Sequence, residues 1–68
     1  MEPHKIPLSD QEYEVLRHVR DDLTSKEIGI KLNITARKVE QLRANLKLKF
    51  HATKTAGMIA RATALGYV

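Results

Sequence analysis

Ser9, Thr24 and Thr35 each stand just before a stretch of helically spaced apolar residues, and one local pattern repeats around them. Glu12 follows Ser9, and Glu27 follows Thr24, at the spacing in which cap and acid each bind the other's backbone N–H. Leu8 with Tyr13, Leu23 with Ile28, and Ile34 with Val39 bracket the three caps as apolar staples. Thr35 keeps the cap, but Lys38 takes the place of the acid. Each cap satisfies backbone donors that the helix cannot, which contributes about 1 kcal/mol. A short chain that repeats this device is committed to helices.

The first helix is predicted over about Asp10 to Arg20, with Val15, Leu16 and Val19 inward. A second, over about Ser25 to Leu32, buries Ile28 and Leu32. The third covers about Ala36 to Phe50, where Val39, Leu42, Leu46 and Phe50 form one stripe at helical period. The fourth spans about Lys54 to Leu65, with Met58, Ile59, Ala62 and Leu65 as its apolar set and Gly66 placed for a left-handed terminus. Residues 1–7, which include Pro3 and Pro7, read as a linker or N-terminal arm, leaving 8–68 as the domain. No strand alternation or internal repeat is present, so the expected fold class is all-α, a four-helix (tetrahelical) domain.

The joint between the second and third helices is the most specific feature. Two helices crossing steeply need a small residue where their backbones approach, and Gly29 supplies it, although glycine inside a helix costs about 1 kcal/mol relative to alanine. The turn needs a residue that tolerates positive φ, and Asn33 serves. Ile28, Leu32, Ile34, Val39 and Leu42 stand where a helix-turn-helix buries its apolar side chains.

With 68 residues the chain encloses little more than one core, which favours surface recognition over a deep catalytic pocket. No enzyme, cofactor or metal is expected: there is no cysteine, His4, His18 and His51 lack ligand spacing, and no glycine-rich phosphate loop occurs. No apolar run is long enough to span a membrane, and residues 1–5 lack the apolar segment of a signal peptide. The expectation is a soluble, cytoplasmic protein. Charge is polarised along the chain. Residues 1–22 hold six acidic side chains against three basic, and residues 23–68 hold nine basic against two acidic. A basic half suits a polyanionic partner.

Leu8-Ser9, Glu14-Val15-Leu16, Leu23-Thr24-Ser25-Lys26-Glu27-Ile28-Gly29, Leu32-Asn33-Ile34-Thr35 and Val39, with the ending Leu65-Gly66-Tyr67-Val68, resemble the LuxR/NarL-type (GerE-like) helix-turn-helix, without gaps from about Leu8 to Val68. The resemblance implies a tetrahelical DNA-binding domain of a transcription regulator, whose third helix reads DNA and whose fourth often pairs two copies. Such domains usually end response regulators or quorum sensors, though some stand alone, and RNA polymerase is a candidate further partner. The chain departs from the family pattern at Asp22 and His51, where glycine is common. It also departs at Lys38, Glu40 and Leu42, where threonine, lysine and histidine are usual.

With the apolar stripe inward, about 100° per residue puts Arg37, Gln41, Ala44 and Leu48 on the outer face of the third helix, about Thr35 to Phe50, which would lie in the major groove of double-stranded DNA. Arg37 suits guanine, Gln41 adenine and Glu40 cytosine, while Ala44 leaves room for a thymine methyl. Thr24, Ser25, Lys26, Lys38, Arg43, Lys47, Lys49 and Lys54 are the expected phosphate contacts. Alternatives stay open for two of these residues: Glu40 as an intrahelical partner of Arg43 or Lys47, and Arg43 as cover for apolar surface. A homodimer on DNA would use Met58, Ile59, Ala62 and Ala64, unless these complete the monomer core. Two rival functions remain: a sigma-factor-like promoter-binding region, and a helix-turn-helix scaffold serving protein–protein interaction, motivated by Glu40, Ala44 and Leu48.

Overall fold

The computed structural model describes residues 6–68. Four helices follow one another, α1 (Asp10–Arg20), α2 (Ser25–Leu32), α3 (Ala36–Lys49) and α4 (Thr55–Ala64), and the described residues include no strand. Among them no helix is long and apolar enough to cross a membrane. The first two bounds are those expected. α3 stops one residue early because Phe50 serves as its C-cap, and α4 is one residue shorter at each end.

The caps form as their sequence dictates. Ser9 accepts from the Glu12 N–H while Glu12 accepts from the Ser9 N–H, and Thr24 and Glu27 do the same. The Thr35 hydroxyl accepts from the Lys38 N–H at 3.0 Å. The four C-termini share a device as well. After each helix one residue turns left-handed: Asp22 (φ 69°), Asn33 (φ 58°), His51 (φ 55°) and Gly66 (φ 86°). Its N–H and that of the following residue then close back on the last turn, as Gly66 does on Thr63 and Tyr67 on Ala62.

α3 packs against all three other helices, and α1 also meets α4. The core gathers Val15, Leu16 and Val19 of α1, Ile28 of α2, Val39, Leu42 and Leu46 of α3 with Phe50, and Met58 and Ala62 of α4. Each large side chain fully buried there contributes roughly 1.5–3 kcal/mol. Leu65 departs from expectation, since it is 40% exposed. The left-handed step at Gly66 reverses the chain, so Tyr67 rather than Leu65 turns inward, and its ring meets Phe50 edge-on at 5.3 Å.

Of the expected arm, residues 1–5 lie outside the described residues. Ile6 packs on the core and is hydrogen-bonded to Tyr67, and the Pro7 carbonyl accepts from Lys49. These two residues are fastened to the body of the domain.

Candidate nucleic-acid interface

The α2–α3 joint is built from backbone contact. A Cβ on Gly29 would lie 2.7 Å from the Ile34 carbonyl oxygen and 3.3 Å from the Ala36 nitrogen, so only glycine admits this approach. Asn33 turns left-handed, and the Ile34 N–H donates back to the Gly29 carbonyl at 2.9 Å. Leu23, Leu32 and Ile34 pack half-buried around the joint. At the start of α2 the Thr24 N–H holds the exposed Glu27 carboxylate below its ordinary pKa. The N–H groups of Ser25 and Lys26, in the first turn, have no intrahelical acceptor and favour an anion there.

α3 presents Arg37, Gln41, Ala44 and Leu48 as one exposed line, opposite the buried Val39, Leu42, Leu46 and Phe50. Lys38, Glu40 and Asn45 flank this line, also exposed, and Lys47 is half-buried beside it. Thr24 and Lys26 of the α2 start and Lys54 of the α4 start are exposed too. Leu48, at 76% exposure, is the most open large apolar side chain on this face.

Several side chains expected in this set are engaged elsewhere. Ser25 is buried, and its hydroxyl donates to the Glu40 carboxylate. Arg43 donates to the Ser25 hydroxyl and to the Thr55 hydroxyl, each at 3.3 Å, which joins α2, α3 and α4. Glu40 therefore bonds across to α2 rather than along its own helix. Lys49 points the opposite way, towards α1, where its ammonium donates to Glu12 at 2.7 Å and to the Pro7 carbonyl at 2.9 Å. Burial alone would push the Glu12 carboxyl up, but Lys49 and the Ser9 N–H outweigh it and hold the group below its ordinary value. Nothing in the linear spacing marks Ser25 as the meeting point of Glu40 and Arg43, because the tie depends on how α2 crosses α3.

The expected dimer set needs correction. Met58 and Ala62 have no exposed surface and complete the core beneath α3, so neither side chain is available to a second copy. Ile59 is half-buried and Ala64 is exposed.

The family model of bacterial regulatory proteins, luxR family (GerE), matches residues 6–62, from the tethered Ile6 through most of α4. No curated protein matches the chain well enough to count as a relative.

Proposed function

The chain belongs to the luxR family of bacterial regulatory proteins, whose domain is DNA-binding and regulatory, and on that premise we propose that it binds double-stranded DNA sequence-specifically, with α3 in the major groove. The observation that carries this reading is the exposed line of Arg37, Gln41 and Ala44 running from the first turn of α3 past its middle, with Lys38 and Lys47 beside it. Arg37 pairs with guanine through two parallel bonds, Gln41 with adenine, and Ala44 meets a thymine methyl, each good polar pair discriminating by about 1–3 kcal/mol. Glu40 stands on the same face as a further reader of cytosine, within the limits its bond to Ser25 allows. Thr24, Ser25 and Lys26 offer the α2 N-terminus to one strand, through backbone N–H groups and the Lys26 ammonium. Lys38, Lys47 and Lys54 meet phosphates at the edges of the groove.

On DNA the proposed state is a two-fold dimer whose half-sites lie about one helical turn apart. The pairing surface would be the open side of α4, Ile59 and Ala64, since Met58 and Ala62 face inward. The protein acts in the cytoplasm as a transcription regulator, alone or as the output end of a response regulator, with RNA polymerase as a further partner. A footprint confined to one unrepeated half-site would overturn the dimer.

Fluorescence anisotropy with duplex DNA across a salt series tests the central reading. Binding must weaken steeply as salt rises, through counterion release. Arg37→Ala should remove the preference for one base position, and Lys26→Ala should weaken all duplexes alike. One other reading has its own observation: exposed Leu48 suits a protein partner, and binding of that kind need not show the salt dependence.

A further inference from the structure

Arg43 is at the middle of α3, yet its guanidinium does not join the exposed line. It is half-buried and spans the first turns of two other helices, with Nη1 3.3 Å from the Ser25 hydroxyl of α2 and Nη2 3.3 Å from the Thr55 hydroxyl of α4. Ser25 has one hydroxyl proton, and it goes to Glu40, so the Ser25 oxygen is left to accept from Arg43. The result is a polarised relay from the Arg43 cation through Ser25 to the Glu40 anion, in which each bond strengthens the next. Two of its five N–H donors are held by these hydroxyls, and swinging the guanidinium out to join the exposed line would break both bonds.

We infer that Arg43 is a positioning residue rather than a DNA contact. Its guanidinium fixes the α2 start, with Lys26, and the α4 start, with Lys54, at a set separation on either side of the reading helix. This rests on the DNA-binding reading above. Arginine fits the task because its planar fork directs donors two ways at once, whereas a lysine ammonium on a flexible stem bonds one site at a time. The relay is near neutral, since Glu40 balances Arg43, so it adds structure without adding a phosphate charge.

The test is the salt slope of duplex binding by the 68-residue chain, measured well below the melting temperature of every variant. A phosphate contact contributes about 0.9 to that slope, so Lys54→Ala should lower it by that amount. Thr55→Val removes no charge. If the Arg43 tie sets the α4 start, Thr55→Val also lowers the slope by about 0.9 and weakens binding roughly threefold to tenfold at moderate salt. Thr55→Ser, which keeps the hydroxyl, restores both. Arg43→Lys keeps the cation and should nevertheless lose the same slope, and combining it with Thr55→Val should cost little more than either alone. A merely destabilising change would lower the melting temperature but leave the slope of the folded protein untouched.

A Thr55→Val slope equal to that of the wild type overturns the inference, as does an Arg43→Lys variant that binds like the wild type. If the wild-type chain shows no salt-dependent duplex binding, the DNA reading fails and the inference fails with it. Wild-type binding combined with unmoved variant slopes sinks the inference alone.

Discussion

The Tyr67 hydroxyl closes on both backbone groups of Ile6, donating to its carbonyl at 2.7 Å and accepting from its N–H at 2.9 Å. One side-chain oxygen near the C-terminus thus does what a neighbouring strand would do for this residue, 61 positions earlier. The same ring meets Phe50 edge-on. Tyr67→Phe keeps the ring contact and deletes both bonds, leaving two partly buried backbone groups to find water. The expected loss is about 1–2 kcal/mol, read as a lower urea midpoint with an unchanged slope. An unmoved midpoint would show that the tether adds nothing to stability.

Glu12 ties a cap to an ion pair, for it accepts from the Ser9 N–H and from Lys49. Its carboxyl is held below the ordinary value of 4.5, so the folded state favours the charged form more than the unfolded chain does. That stability is complete above the unfolded value and drains away as pH falls through the folded one. Glu27, also held low, changes in the same direction. Glu12→Gln should therefore cost about 1–2 kcal/mol near neutral pH. The gap between variant and wild type should close in acid, below the ordinary carboxylate range. Denaturant titrations at several pH values decide it, and a gap independent of pH would remove Lys49 as the cause.

Asp22 and His51 occupy left-handed positions equivalent to that of Gly66. Both belong to the residue types that tolerate this conformation better than most, though less well than glycine. The left-handed strain is about 1–2 kcal/mol, and extra freedom in the unfolded chain offsets part of it when glycine is introduced. Asp22→Gly and His51→Gly should each stabilise by roughly 0.5–1 kcal/mol, while Gly66→Ala should destabilise. Thermal melting in the absence of DNA separates these outcomes, and a lower melting temperature for both glycine variants would refute the strain argument.

The helices were legible because caps, staples and the apolar period are local properties, carried by residues a turn apart. Ser9, Thr24 and Thr35 fixed three starts, and Gly29 and Asn33 fixed the joint. Ends were harder. Leu65 continues the apolar period of α4, but the chain turns left-handed at the next residue and Tyr67 takes the inward place. A signal for this did exist, since an apolar residue directly after a C-terminal glycine often packs back on the last turn. The exposed line on α3 followed from the same angular count. The Ser25, Glu40, Arg43 and Thr55 relay did not, nor did the ion pair that takes Lys49 to α1. Those pairings cross between helices, and their partners are set by crossing geometry that no local spacing encodes.

Gly29 is where the fold and the proposed reading surface are most tightly coupled. The atoms a Cβ would meet, at 2.7 and 3.3 Å, are backbone atoms of Ile34 and Ala36, which have no rotamer to yield. Gly29→Ala improves helix propensity by about 1 kcal/mol. It also forces α2 away from the start of α3, an overpacking cost of about 1–3 kcal/mol. The net effect should be a loss of stability of up to roughly 2 kcal/mol. Because Thr24, Ser25 and Lys26 move with α2 while Arg37 and Gln41 stay on α3, duplex affinity should fall even at temperatures where the variant is fully folded. Melting curves and anisotropy titrations on the same preparation measure the two effects. A variant that melts at or above the wild-type temperature and binds duplex as tightly would show that the joint has room for a methyl group after all.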